Sequence, residues 1–337
     1  MTQFFLGVDV GGTKTHAVLA NETGQILAFH TDEAGNPEVT GFSHLATLNQ
    51  RVVHAICDQA GIELHHISGA AFGIAGFDWR SQTAQFQDVV RMDGLTDNVM
   101  VTNDTILGLT AGATAGWGIC LVAGTSFNCR GRTLDGREGR VIGDGLRWGE
   151  GAGALELATY AVEAICAAWA RRGEPTSLTQ ALLQYYGYTS IDMLIEDLVL
   201  FRKKIEPDFA LRVFEMAHDG DLVANKCVIR AAESLGSLAF GVIRQLSLER
   251  ENFEVVLTGS MFKAGAILID PLKTYISKHA PGATLVHLEA PPVAGAVMLA
   301  IQQQRAIHTH KFRATLLANL ADYYPATSIV TGGGTSA

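Results

Sequence analysis

The sequence has no surplus of positive charge. Among its 337 residues, Lys and Arg together number 25 and Asp and Glu 34, which gives a formal net charge of -9 at pH 7. Surfaces that bind nucleic acid need clustered cations, so the composition argues against a nucleic-acid partner. The composition does not exclude the binding of small anionic ligands, because backbone N–H groups can hold a phosphate without net positive charge.

Cysteine is scarce and unpaired along the chain. The five cysteines form no C-x-x-C pair, and their number is odd. They are Cys57, Cys120, Cys129, Cys166 and Cys227. This usage indicates reduced thiols in a cytoplasmic protein rather than a disulfide or zinc framework. The first ten residues lack the basic segment of a signal peptide, which fits the same expectation.

Long apolar runs without charge are also missing. The most apolar long stretch, residues 152–170, contains Glu156 and Glu163, which favours a buried helix over a membrane span. We therefore expect no membrane partner. Hydrophobic residues still make up 48% of the chain and charged residues 18%, which is enough apolar material for a large core and excludes the disordered and fibrous classes.

Strands and helices are predicted in two successive blocks. The first block has strands at 4–10, 15–20, 25–31, 66–74 and 98–102 and a helix at 42–59. The second has strands at 118–123, 126–133, 140–143, 253–258 and 283–287, a helical region at 151–250, and helices at 262–279 and 293–304. A β-meander followed by helices and strands, occurring twice, predicts a duplicated α/β fold whose cleft would hold a small molecule.

The expected domain boundaries follow these blocks. We expect a first lobe at residues 1–112 and a second lobe at 113–305, which carries the helical region as an insertion. The tail, 306–337, has a helical pattern at 312–324 and a glycine-rich end that we expect to be mobile.

The sharpest motif follows the first strand and reads Asp9-Val10-Gly11-Gly12-Thr13-Lys14-Thr15. Its glycines allow a tight turn that a Cβ would obstruct. Its hydroxyls, N–H groups and lysine can surround phosphate oxygens, while Asp9 can hold Mg²⁺ directly or through water. The spacing is not that of a Walker A loop. The alternative is an ordinary Gly-Gly hairpin with an exposed lysine.

A second motif, Thr102-Asn103-Asp104-Thr105, lies between a strand and a helix. The carboxyl end of a strand is where α/β proteins place ligand-binding groups. An aspartate there can accept the proton of a substrate hydroxyl as it attacks phosphorus. The alternative is a helix N-cap, which local sequence alone favours for Asp104.

Three further glycine-rich segments come later. They are Ala123-Gly124-Thr125-Ser126, the pair Gly143-Asp144-Gly145 with Gly149-Glu150-Gly151-Ala152-Gly153, and Leu257-Thr258-Gly259-Ser260. The first can hold phosphate from the opposite side of a cleft. The second precedes a long helix whose N-terminus favours an anion or sugar hydroxyls. The third can accept a flat adenine ring against the backbone. Taken singly, each is also consistent with an ordinary hairpin, linker or turn.

In order and rough spacing, the five motifs resemble those of the sugar kinase/Hsp70/actin superfamily, and within it the BadF-type ATPase group and the N-acetylglucosamine kinases. The resemblance covers residues 5–304 and includes the start of the closing helix, 291–296. It implies a two-lobed, duplicated ribonuclease H-like fold of the actin-like ATPase type, with an inter-lobe cleft. It also implies ATP contacts from Gly11, Gly12, Thr13, Lys14, Thr15, Gly124, Thr125, Gly259 and Ser260, a metal ligand at Asp9 and a catalytic Asp104.

The resemblance further implies a sugar pocket formed by Asn36, Gly76, Asp104, Asp144 and Glu150. Two departures from the family pattern bear on the phosphate contacts and on the sugar pocket, respectively. Phe127 replaces a small residue in the second phosphate loop, removing a hydroxyl and adding bulk. Glu150 stands where an aspartate is usual, and Asp144, six residues earlier, competes for its role.

The implied activity is an ATP- and Mg²⁺-dependent kinase that phosphorylates an amino sugar at O6, with N-acetylglucosamine first and glucosamine second. A homodimer is expected. One alternative is an ATPase that activates a partner enzyme; such activators hold an iron–sulfur cluster through cysteines at a dimer interface, and the scattered cysteines here speak against it. The other is a sugar sensor without turnover.

Overall fold

The computed structural model describes residues 2–303 and 310–324, which form two five-stranded mixed sheets. The strands of the first sheet are β1 (Phe4–Val10), β2 (Lys14–Asn21), β3 (Ile26–Glu33), β4 (Ile67–Ile74) and β5 (Val99–Thr102). Those of the second are β6 (Gly118–Ala123), β7 (Phe127–Arg132), β8 (Glu138–Arg140), β9 (Phe253–Thr258) and β10 (Ala283–His287).

The two sheets have the same topology. Their orders are β3-β2-β1-β4-β5 and β8-β7-β6-β9-β10. In each, the first three strands form an antiparallel meander, and the last two add in parallel on the other side of the first strand. The predicted duplication of a two-lobed α/β fold is therefore confirmed.

Twelve α-helices are present in the described parts of the chain. They are α1 (Pro37–Thr40), α2 (Phe42–Ala60), α3 (Thr83–Asp88), α4 (Asp104–Gly112), α5 (Ala154–Trp169), α6 (Leu178–Tyr186), α7 (Ile191–Val199), α8 (Phe209–His218), α9 (Leu222–Leu246), α10 (Ala266–His279), α11 (Pro292–Gln302) and α12 (His310–Leu320). The long helical region of the sequence thus divides into α5–α9. The helix expected at 262–279 is interrupted at Gly265, which separates a short 3₁₀ turn from α10.

The helix that follows each sheet crosses to the other lobe. Helix α4 contacts β6 and β7, and α11 contacts β1 and β4. Glycine makes the crossing close, since a Cβ at Gly295 of α11 would lie 2.0 Å from the carbonyl oxygen of Leu107 in α4. The two lobes therefore share one packed base beneath the cleft.

The outer helices cover the sheets with apolar faces at helical spacing. In α2 the buried residues Leu45, Leu48, Val52 and Ile56 follow the 3.6-residue period. Helices α5 and α9 cover the second sheet in the same way. Among the residues described, no helix combines the length and hydropathy needed to cross a membrane.

The predicted tail helix exists and packs onto the first lobe. Phe312, Leu316 and Leu320 of α12 repeat every four residues and are buried in the core. The expectation of a mobile chain end falls on residues 325–337, which lie outside the described part.

Candidate active site

A cavity of about 810 Å³ lies between the lobes, above the crossing of α4 and α11. Its wall comes from the carboxyl ends of β1, β4 and β5 on one side and of β6 and β9 on the other. This is the edge where α/β sheets place ligand-binding groups. The predicted site residues in its lining are Asp9, Gly11, Gly12, Thr13, Lys14, Gly76, Asp104 and Gly259.

The loop after β1 presents its backbone to the cavity. The Gly11 N–H donates to the Lys14 carbonyl oxygen at 3.0 Å, which closes the hairpin. A Cβ at Gly12 would meet no atom within 4 Å, and neither glycine has a positive φ. The expectation that a Cβ would obstruct this turn is therefore wrong for Gly12: its missing side chain leaves ligand space free.

Thr15 lies outside this lining. Its side chain is fully buried, and its hydroxyl donates to the Glu33 carbonyl oxygen of β3 at 2.8 Å. The hydroxyl thereby links β2 to β3 at the root of the loop.

Asp9 is half-buried at the floor of the cavity. Burial raises its pKa to about 8, with the Asp104 carboxylate adding to the rise and Lys14 opposing it. A cation beside such a group favours its charged form. The described residues contain no group of three or more His, Cys, Asp or Glu side chains that could hold a metal by themselves. The donor set therefore fits Mg²⁺ in the way this ion usually binds, through one carboxylate, phosphate oxygens and water.

The N-cap of α4 is Asn103, and Asp104 is the first residue of the helix. The Asn103 side chain accepts from the Thr105 N–H at 3.0 Å. The local alternative for Asp104, a helix cap, is therefore wrong, and its carboxylate lines the cavity. Burial raises the pKa of Asp104 to about 6, while the charge of Arg130 and the Thr105 N–H lower it.

Arg130 of β7 is a site residue that the sequence did not reveal as such. It is only 6% exposed and forms an ion pair with Asp78, in the loop after β4, across the two lobes. Asn103 donates to the same Asp78 carboxylate at 3.4 Å. Asp78 is therefore held between the lobes by a buried cation and is not a solvated loop charge. The one sequence signal for Arg130 was its position as a charged residue at a core position of a strand.

The loop after β6 provides polar groups through residues other than those predicted. Gly124 and Thr125 lie beside the cavity, whereas Ser126 and Asn128 contribute to its lining. The ring of Phe127 is 5% exposed and packs into the second-lobe core. Most of the Phe127 ring therefore packs in the core and not in the phosphate loop. The exposed Ser126 supplies a hydroxyl to the cavity lining in its place.

The backbone conformation at position 259, directly after β9, requires a glycine. Its φ is +110°, and a Cβ there would lie 2.2 Å from the Ala123 carbonyl oxygen. The two loops of the second lobe therefore touch through bare main chain. Ser260 lies outside the lining, and Lys263 enters it in its place.

Three predicted sugar residues lie outside the cavity lining. Asn36 caps α1 by accepting from the Glu38 N–H at 3.0 Å. Glu150 is buried and accepts from the N–H groups of Ile142, at 2.9 Å, and Gly143, at 2.6 Å. Asp144 is exposed and accepts from the indole N–H of Trp148 at 2.6 Å.

Comparison with known proteins places the chain in a family. It is 28% identical over 317 residues to an N-acetyl-D-glucosamine kinase of Dictyostelium discoideum, covering 90% of this chain and 99% of the relative. It is 24% identical to an N-acetylmuramic acid/N-acetylglucosamine kinase of Clostridium acetobutylicum, over 88% of this chain and 98% of the relative.

A solved structure from Chromobacterium violaceum, a protein named as a candidate N-acetylglucosamine kinase, shares the fold. Its TM-score is 0.63 at 23% identity, and the match covers 88% of this chain and 99% of that one. The sequence pattern of the BadF/BadG/BcrA/BcrD ATPase family matches residues 6–300, which is most of the chain. The chain therefore belongs to the BadF/BadG/BcrA/BcrD ATPase family.

Proposed function

We propose that this protein is an ATP-dependent kinase that phosphorylates an amino sugar at O6, with N-acetylglucosamine as the first substrate and glucosamine as the second. The observation that carries the proposal is the placement of Asp104. Because Asn103 caps α4, the Asp104 carboxylate is left to line the same cavity as the glycine loop after β1. Both curated relatives are named as kinases of N-acetylated amino sugars, which supports this substrate class.

In this scheme the triphosphate lies between the two lobes. The N–H groups and side chains of 11–14 contact it from the first lobe, with Gly124, Thr125 and Ser126 opposite. The side chains of Lys14 and Lys263 line the cavity and offset the phosphate charge. Adenine would lie against the bare backbone at Gly259.

Asp9 is the residue proposed to hold Mg²⁺, directly or through water. The ion would neutralise charge on the transferring phosphoryl group. We expect EDTA to abolish phosphoryl transfer and Mg²⁺ or Mn²⁺ to restore it. Transfer that survives complete chelation would contradict the assignment of Asp9.

Asp104 is proposed to accept the proton of the sugar hydroxyl during in-line attack on the γ-phosphorus. Arg130 would keep the Asp104 carboxylate ionised by its charge, and the Arg130–Asp78 pair would hold the loop after β4 beside it. Gly76 and the neighbouring Ala75 would form the uncharged wall that meets the acetyl group.

Asn36, Asp144 and Glu150 act, in this proposal, by positioning the sugar pocket. Asn36 lies close behind Gly76, since a Cβ at Gly76 would come 2.5 Å from the Asn36 amide oxygen. Glu150 holds the N–H of Gly143, a residue of the cavity lining. Replacing either should change the sugar KM more than the ATP KM.

The family also contains the alternative of an ATPase that activates a partner through a shared iron–sulfur cluster. All five cysteines lie in the described residues, and four of them are buried. A cluster shared across a dimer interface needs cysteines at the surface, so the kinase is favoured. The proposal places the protein in the cytoplasm, since ATP and free thiols are both typical of that compartment. It also includes a homodimer.

The test is ADP release with and without a panel of sugars. Turnover that depends on an amino sugar supports the kinase. Sugar-independent hydrolysis would instead indicate an activator, and sugar binding without ADP release would indicate a sensor.

A further inference from the structure

Tyr324 lies beyond the family-matched region, yet it lines the cavity. The family pattern ends at residue 300, while Tyr324 follows α12 and appears in the wall together with Asp9 and His16. We propose that the Tyr324 phenol contacts the nucleotide, donating a hydrogen bond to an oxygen at the Asp9 end of the cavity. That oxygen belongs either to the phosphate chain or to water on its metal. The proposal rests on the proposed function for the identity of the ligand.

Helix α12 is fixed well enough to deliver such a contact. Its apolar face packs in the first-lobe core. The Arg313 guanidinium donates to the carbonyl oxygens of Thr110, at 3.0 Å, and of Ala111. These carbonyls lie in the last turn of α4, where the helix itself provides no N–H partner for them. Arg313 therefore ties α12 to the helix that begins with Asp104.

The ring of Tyr324 is held in one orientation. It packs edge-on against His16 of β2 and Phe29 of β3, with ring centroids 5.0 Å and 5.4 Å away. Only 8% of the residue is exposed. Because the ring is fixed by its neighbours, its hydroxyl cannot swing out to reach bulk water.

The Tyr324 hydroxyl has no partner among the residues that the structure describes. It is buried and makes no hydrogen bond to any atom in the described part of the chain. A buried donor without an acceptor costs free energy, so such a group marks a place where another molecule supplies the partner. Burial, with the nearby Asp9 carboxylate, raises the pKa of Tyr324 above its usual range, which keeps the phenol a donor.

The surroundings favour an anionic oxygen as that acceptor. Lys14 and Asp9 line the same cavity as Tyr324, and Asp9 is the residue proposed to hold the metal. Tyr324 also borders a second cavity that is lined by Glu289 and Arg313. Burial and the charge of Lys14 lower the pKa of His16 to about 4, so the imidazole is neutral at pH 7 and adds no competing charge. A phenol donor in the same cavity as Lys14 suits the oxygens of a metal–nucleotide.

The test is Tyr324→Phe, which keeps the ring packing and removes the hydroxyl alone. Tyr323→Phe is the matched control, because Tyr323 is 45% exposed and its ring stacks on Phe29 at 5.1 Å. Calorimetric titration of both variants and of the wild type would use ATP, ADP and adenosine, each with Mg²⁺ and with EDTA. A melting curve of the ligand-free protein completes the set.

We expect Tyr324→Phe to weaken ATP or ADP binding by about 10-fold or more, the loss typical of a hydrogen bond to a charged group. Adenosine binding and the melting temperature of the free protein should not fall, since the hydroxyl has no partner in the described part of the chain. A loss seen with and without Mg²⁺ supports a phosphate oxygen as the acceptor, and a loss confined to Mg²⁺ supports metal-bound water. Tyr323→Phe should match the wild type throughout.

Three results would overturn the proposal: nucleotide affinity within twofold of wild type, an equal loss for adenosine, or a lower melting temperature with unchanged affinity. Each is distinct from failure of the kinase function. Wild-type protein that binds ATP but phosphorylates no sugar would contradict the proposed function and leave the Tyr324 contact intact.

Discussion

Replacing Asp104 by Asn removes a proton acceptor and leaves the side-chain shape nearly unchanged. General base catalysis contributes about 10²–10⁴-fold to a rate, so we expect kcat to fall by that factor. At about 1.36 kcal/mol for each tenfold, the loss corresponds to roughly 2.7–5.4 kcal/mol of transition-state stabilisation. ATP binding should persist, because the phosphate loop after β1 is not altered.

The fold should tolerate Asp104→Asn because Asn103, not Asp104, caps α4. Losing an acidic residue from the first turn of a helix costs about 0.3–1 kcal/mol. Removing a half-buried carboxylate, whose pKa is raised to about 6 by burial, offsets part of that cost. The melting temperature should therefore change little.

Asn103→Ala is the matched control with the opposite pattern. It removes the cap, which costs about 0.5–2 kcal/mol of stability, and keeps the Asp104 carboxylate. We expect a lower melting temperature and a smaller loss of kcat than for Asp104→Asn. Initial rates of ADP release at saturating ATP and sugar, with circular dichroism melting curves, measure both quantities. Near-wild-type turnover by folded Asp104→Asn protein would refute the role of this residue as the base.

Three further predictions concern stability. Gly259→Ala should destabilise the protein by more than about 1 kcal/mol, because φ is +110° and the new Cβ would clash with a β6 carbonyl. The control is Gly241→Ala in α9, where a Cβ meets no atom within 4 Å; it should stabilise the protein by up to about 1 kcal/mol. Arg130→Met should cost about 2 kcal/mol or more by leaving Asp78 unpaired, and adding Asp78→Asn should recover part of the loss in urea unfolding. Burial alone would raise the pKa of Asp221, the N-cap of α9, but the hydrogen bonds that its carboxylate accepts hold the pKa at about 2. Asp221→Ala should therefore cost about 1–2 kcal/mol of stability above pH 4. In melting curves at several pH values, the stability difference between variant and wild type should vanish as the pH falls through about 2.

The duplicated fold could be predicted from sequence because its determinants are local. The turn at 21–24 is flanked by apolar runs, and its Asn21 side chain accepts from the backbone of Thr23 and Gln25, which is short-range turn chemistry. The same holds for the glycine loops, which stand directly after apolar strands. Elements of this kind are specified by neighbours a few residues away.

The finer arrangement of the site depended on contacts between distant residues. Asn103 and Asp104 are both good capping residues, and only the backbone path decides which one caps. Arg130 meets Asp78 across 52 residues and between two lobes, and no local pattern indicates that pairing. Tyr324 reaches the cavity only because α12 folds back onto the first sheet.

Steady-state kinetics on glucose, glucosamine, N-acetylglucosamine and N-acetylmannosamine test the central claim most directly. A site whose polar groups face the C2 substituent leaves them unpaired when that substituent is absent, so discrimination against glucose should be large. We expect kcat/KM for N-acetylglucosamine to exceed that for glucose by at least about 10-fold, equivalent to about 1.4 kcal/mol. A preference for glucosamine would overturn the acetyl-binding wall and keep the kinase. Equal rates with all four sugars, or no phosphorylation of any, would contradict an amino-sugar kinase.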